Sequence, residues 1–273
     1  MFDAPAPSIH LQRTRGRAAV ALGASGRLTG LHQSGSAKLF LPRIHSDVPE
    51  AVFLNTAGGL TGGDRLDYAV ELAPGARAVA TTQTAERAYA SSGGAAELNV
   101  TLTLGAGAAL DWLPQETILF DRSALARRTV ADLAGEARLA MAEMVVLGRA
   151  AMGEVIGEMY LADWREVRRD GRPVLVEPLR MTSATLAAGP AVLNGARAFA
   201  TVALVAPGGE DALGPVRACL VGALPDGVEA AASGWDGKCV VRLLAGDALP
   251  LKRAVAAVLD VLRGRPLPRV WQM

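Results

Sequence analysis

Along most of the chain, apolar and polar residues alternate in short runs separated by glycine and proline, a period of two that predicts strands. Residues 8–12, 18–22, 30–33, 37–41 and 50–54 read as strands, with Gly23, Gly26, Gly35 and Pro42 between them. Four glycines, Gly58, Gly59, Gly62 and Gly63, then separate the apolar run 51–54 from an alternating run that begins at Leu66. Glycine takes positive φ and lets backbone segments touch, so this stretch predicts a tight, shaped turn between strands.

Beyond that turn a unit recurs. Leu72-Ala73-Pro74-Gly75-Ala76, Leu104-Gly105-Ala106-Gly107-Ala108 and Leu133-Ala134-Gly135-Glu136-Ala137 each join two strands. Gln83, Gln115 and Glu143 stand eight positions after Gly75, Gly107 and Gly135. An interval of about 30 residues predicts stacked β rungs, each burying its apolar face on its neighbours. Strands at this spacing also suit a plain β-sandwich of layered sheets. More strands are expected at 97–104, 127–133, 158–163, 164–169, 173–176, 198–206 (buried on both faces) and 238–244, and Asp170-Gly171 predicts a hairpin turn.

Helical spacing enters only near the end. Leu213, Val216, Leu220, Ala223 and Leu224 form one stripe, with Pro215 in the first turn and Pro225 after it. Leu251, Ala254, Val255, Val258, Leu259 and Leu262 form a second, with Asp247 placed to cap it and Gly264 and Pro266 to end it. The expected fold is mainly β: stacked β rungs, β-helix- or solenoid-like or as layered sheets, with two α-helices in the C-terminal region, as a single domain over residues 1–273.

Composition narrows the class. With 273 residues, 51% apolar and 20% charged, the chain is globular rather than disordered and long enough for a sizeable core. A net charge of +1, with both signs interspersed, points to neither nucleic acid nor an anionic membrane as partner. No apolar run reaches the roughly 18 residues that span a bilayer. The segment Met1-Phe2-Asp3-Ala4-Pro5-Ala6-Pro7 has no basic region followed by an apolar core, so no signal peptide is read. Two cysteines, Cys219 and Cys239, make no disulfide framework, and a cytoplasmic protein with both thiols reduced and buried is expected.

Familiar chemistry does not assemble from these residues. Gly58 and Gly63 have the spacing of a phosphate-binding loop, but Asp64-Arg65 follows where Lys-Ser/Thr is needed, and a carboxylate there repels the anion. No amphipathic helix follows, which removes the dinucleotide-binding reading. His10, His32 and His45 lie in separate strands, no Cys-x-x-Cys occurs, and Gly-x-Ser-x-Gly is absent. The expectation is therefore no catalytic residues, no tightly bound cofactor and no firm metal site.

Carboxylates beside apolar runs are more informative: Asp64, Glu86, Asp111, Glu116, Asp121, Glu143 and Glu154. A carboxylate inside a β body must be paired or solvated. Arg65, Arg87, Arg122 and Arg149 could pair with them. A polar channel holding a divalent cation in passage is the other reading, with Asp121, Glu143 and Glu154 as candidates for transit. Gln83 and Gln115 could stack as an amide ladder or end strands at the surface.

Five blocks carry a resemblance: residues 54–64, 81–89, 112–121, 147–154 and Pro268-Arg269-Val270-Trp271. In this order they resemble the urease accessory proteins called UreD or UreH. Gly58, Gly59, Gly62, Gly63, Asp64, Gln83, Trp112, Gln115, Glu116, Gly148, Arg149 and Gly153 are the motif residues involved. The resemblance implies a non-enzymatic nickel-insertion chaperone that binds the urease apoprotein and recruits F-type and G-type accessory proteins, the latter a GTPase. Nickel would then be in transit through or along the chain, and the C-terminal helices would be candidates for partner contact. A small-molecule enzyme with its active site in the β body is the alternative.

Overall fold

The computed structural model describes residues 12–43 and 46–272. The strand expected at 8–12 falls almost wholly outside these residues, as do His10 and His45. The first strands in chain order are β1 (Arg15–Leu22), β2 (Leu28–Gly35), β3 (Ala37–Phe40), β4 (Glu50–Asn55), β5 (Arg65–Leu72), β6 (Arg77–Thr82), β7 (Glu86–Ala88), β8 (Ala96–Leu104) and β9 (Ala109–Leu113). They continue as β10 (Thr117–Leu119), β11 (Ser123–Leu133), β12 (Arg138–Leu147), β13 (Met159–Arg169), β14 (Arg172–Thr182), β15 (Ala198–Val205), β16 (Val228–Trp235) and β17 (Lys238–Ala245). Helices are α1 (Ser183–Leu186), α2 (Leu213–Ala223) and α3 (Ala248–Arg263).

A front sheet runs β14-β13-β11-β8-β5-β1-β2 and a back sheet runs β16-β17-β15-β12-β9-β6-β4-β3. The middle strands of both are parallel, because each rung goes out along a front strand and returns along a back strand. Leu72, Leu104 and Leu133 stack in register at the tight turns, all buried. A narrow third strip closes the other side: Leu60 bridges Ala88, β7 pairs with β10, and β10 pairs with the end of β12. The architecture is a solenoid of β coils, the stacked-rung reading.

The rung pattern needs one correction. Ala109 pairs with Arg138 and Trp112 with Met141, so Glu143 is level with Pro114 and not with Gln115. The third turn carries its positive-φ glycine, Gly135, one position earlier than Gly75 and Gly107 stand in theirs. A one-residue offset turns a strand residue to the opposite face, and here it points Glu143 into the body.

One core fills the space between the sheets, around Phe53, Leu66, Tyr68, Leu102, Leu110 and Trp112. A second lies between the back sheet and the helices. The stripe of Leu251, Ala254, Val255, Val258, Leu259 and Leu262 packs there with Val202, Val241, Leu243 and Trp271. Asp247 Oδ1 accepts from Leu249 N at 2.9 Å to start α3, and Gly264 ends it in the left-handed region. The segments expected at 158–163 and 164–169 form one continuous strand, β13. β16 was not legible from its run of alanines; it is drawn into the sheet by the Asp236-Gly237 turn, both residues at positive φ, which pairs it with β17. Cys239 is buried as expected, whereas Cys219 on α2 is only half-buried; both are free. Among the described residues no helix is long and apolar enough to cross a membrane.

Candidate functional site

The third strip gathers the motif blocks. Gly58 O accepts from Tyr89 Oη at 3.2 Å and from Arg87 Nη1 at 3.3 Å. Leu60 N donates to Arg87 O, and Tyr89 N donates to Leu60 O. A Cβ on Gly59 would stand 2.2 Å from the Tyr89 ring and 2.8 Å from Arg87 O; on Gly62 it would meet Ser91 Oγ and the Gly93 carbonyl. Glycine is needed at both because two backbones touch. Asp64 locks the same turn: its Oδ2 accepts from Thr61 N at 2.8 Å and its Oδ1 from Thr14 N at 2.7 Å.

One coil further on, Tyr89 meets Phe120 edge-on with centroids 5.0 Å apart, and Arg149 lies 4.5 Å over the Phe120 ring. Arg149 Nε donates to Glu154 Oε2 at 2.8 Å, and Glu154 Oε1 accepts from Asp121 N at 3.1 Å. Hydrogen bonds from Arg149 hold the Glu154 carboxyl down at about 2. The Glu158 and Gly157 amides, both donating to Asp121 Oδ1, hold the Asp121 carboxyl below its usual range. Gly148 and Gly153 take positive φ around Arg149. The strip is thus a ledge built from four successive corners, with Met152 and Val155 exposed at its end.

Behind the ledge lies a cavity of about 40 Å³, lined among others by Tyr68, Glu86, Gln115, Thr117, Arg127 and Glu143. Glu86 stands at its outer side, its oxygens accepting from Asn55 Nδ2 at 3.2 and 3.3 Å and from Arg87 N at 3.1 Å. Burial pushes its carboxyl up to about 7.

Deeper in, the two sheets face each other through charges. Arg127 of β11 donates to Asp163 from Nε at 2.9 Å and Nη2 at 2.7 Å, and to Thr117 Oγ1 at 3.1 Å. Its Nη1 also lies 2.6 Å from Glu143 Oε2, and Trp112 Nε1 donates to Glu143 Oε1 at 3.1 Å. Burial raises the Glu143 carboxyl; burial acts the same way on Asp163, but Arg127 outweighs it and holds that carboxyl low. Glu143, Thr201 and Arg242 are cross-strand neighbours on the back sheet. Arg165 pairs across the front sheet with Glu177, which also bonds Arg242. A layer of alternating charges therefore crosses the body from the cavity to the far edge.

The C-terminal block closes over the back of this region. Lys252 Nζ donates to Gln115 Oε1 at 2.5 Å and pairs with Glu116 at 3.2 Å. Gln115 Nε2 donates to Val270 O, and Trp271 Nε1 donates to Leu113 O at 3.0 Å. Nearby, the fully buried Asp111 accepts from Arg138, Arg263 and Arg265. Burial opposes its charge, yet Arg265 and Arg263 hold the Asp111 carboxyl low.

The motif residues thus come together, with the exception of Gln83. Gln83 is exposed while Gln115 is buried against Lys252, so the two form no amide ladder. Of the transit candidates, Asp121 and Glu154 share the ledge and Glu143 lies inside; each is engaged by amides or arginine. Sequence reasoning missed Arg127, Asp163, Arg165 and Glu177. The signal was the alternation itself, which puts Arg127 in phase with buried Leu125 and Ala131, and Asp163 and Arg165 in phase with buried Leu161 and Val167.

The chain is similar to known proteins over nearly its whole length. The profile of a family described as UreD urease accessory protein matches residues 13–272. A Cereibacter sphaeroides protein named urease accessory protein UreD is 60% identical over 96% of this chain and 96% of its own length. Proteins of the same name are 52% identical in Paracoccus denitrificans, over 100% of this chain and 97% of theirs, and 46% identical in Rhizobium leguminosarum bv. trifolii, over 96% of each.

Proposed function

The chain belongs to the UreD family of urease accessory proteins, and on that premise we propose that it is a non-catalytic nickel-insertion chaperone. As one folded scaffold it binds the urease apoprotein and recruits the F-type and G-type accessory proteins in the cytoplasm. Nickel is its cargo, held in passage and not resident.

The observation that carries this reading is the convergence of four of the five motif blocks on one ledge, with the fifth closing over its back. A scaffold needs a rigid presenting surface, and the ledge is fixed by backbone contacts between four coils. A cargo cation needs oxygen ligands in a polar interior, and Glu86 and Glu143 both line the cavity behind the ledge. Oxygen ligands hold nickel weakly compared with imidazole or thiolate, which suits release.

The test is expression of a urease operon with and without this gene, followed by purification of urease. Nickel content and urease activity should fall together without the gene and return on complementation. Urease that is fully loaded in its absence overturns the assignment.

A further inference from the structure

The front sheet ends at β14, whereas the back sheet continues through β15, β17 and β16. Part of the back sheet's inner surface therefore extends past the last front strand. A cleft of about 420 Å³ opens there, walled by Leu179, Leu193, Phe199 and Leu244. Its charged lining is Arg165, Arg180 and Arg242 against Glu177, an excess that favours an anion.

Arg165 is the unusual member. Its side chain is 7% exposed, Nε has no hydrogen-bond partner among the described residues, and Asp163 and Glu177 stand 3.5 Å away. Both are already engaged more closely, Asp163 by Arg127 and Glu177 by Arg242. A guanidinium has five donors in a planar fork, and leaving a buried one such as Nε without an acceptor is unfavourable. A carboxylate arriving in the cleft would supply paired acceptors. At the rim, Val176 is 42% and Val192 37% exposed. Exposed apolar side chains around a polar anchor are what a protein segment covers, and a free ion would leave them wet.

We propose that this cleft receives an acidic side chain carried on an apolar segment of a protein partner, the carboxylate seating on Arg165. The inference rests on the assembly-factor reading, since that reading supplies the partners. It names a surface separate from the motif ledge.

The purified chain is mixed in turn with urease apoprotein and with the F-type accessory protein. Hydroxyl-radical footprinting then reads Leu179, Val192 and Phe199, free and bound. Oxidation at these side chains should slow in one of the two complexes. Val192→Glu, which puts a like charge at the exposed rim without touching the charged layer, should weaken that complex about tenfold while Val192→Lys does not. Arg165→Gln should weaken it at least as much if the variant folds, and the rim pair decides the matter if it does not. A complex that forms with unchanged oxidation, and that tolerates Val192→Glu, overturns the cleft and leaves the assembly reading standing. Failure to form either complex overturns both.

Discussion

Arg127 Nη1 lies 2.6 Å from Glu143 Oε2 inside the body, tying a front-sheet strand to a back-sheet strand. The same guanidinium also neutralises Asp163. Removing one member of a buried ion group leaves an uncompensated charge. Arg127→Met is therefore expected to lose about 3–5 kcal/mol in urea unfolding, and adding Glu143→Gln and Asp163→Asn should restore much of it. Full wild-type stability for Arg127→Met alone would contradict this account.

Glu86 makes stability depend on pH. Burial raises its carboxyl from the ordinary 4.5 to about 7, so the folded protein holds a proton the unfolded chain releases. Below about pH 4.5 the group is protonated in both states and costs nothing; between there and about 7 folding stability falls, by about 3 kcal/mol in total. Glu86→Gln should flatten that slope. Thermal unfolding of both proteins from pH 5 to 8 checks it, and identical profiles would show that Glu86 is solvated.

Two neighbouring glycines should respond differently. Gly58→Ala has open space but φ of +77, and is expected to lose about 1 kcal/mol. Gly59→Ala drives a methyl into the Tyr89 ring and the Arg87 carbonyl, costing about 1–3 kcal/mol. Tyr89→Ala should recover only part of the second loss, since the carbonyl remains. Denaturant midpoints rank the three variants.

Asp111 anchors the C-terminal segment through Arg263 and Arg265, with Arg263 Nε 2.7 Å from its carboxylate. Asp111→Asn is expected to destabilise the chain by about 3 kcal/mol or more and to expose the segment beyond α3 to limited proteolysis. A cleavage pattern identical to wild type would place the anchor elsewhere.

For the cargo route, Glu143→Gln keeps an acceptor for Trp112 but removes a charge from the layer. Co-expressed with the urease operon, it should lower the nickel content of urease several-fold, while the exposed Glu71→Gln does not. Circular dichroism on both variants separates this from simple unfolding.

How far the residues alone reach is clearest at particular places. Period-two alternation and the Leu-to-Ala turn units predicted stacked rungs, because a strand with one buried face must repeat its apolar side chains every second residue. The Leu251-to-Leu262 stripe, with Asp247 before it and Gly264 after it, predicted α3 for the equivalent reason at a period of 3.6. The glycine turn was readable as a shaped corner, and the five motif blocks led to the family. All of these are local signals, set by residues near one another in the chain.

Tertiary structure decided the rest. Glu143 could be assigned a face only once the register of β12 on β9 was known, since one residue reverses the side chain. Gln83 and Gln115 look equivalent in sequence, but Lys252, over a hundred residues away, reaches only one of them. Arg127, Asp163 and Arg165 read as ordinary charges in strands until both sheets are in place, because the partners of a buried charge come from other strands. What each carboxylate does is fixed by those distant partners, and no local pattern records them.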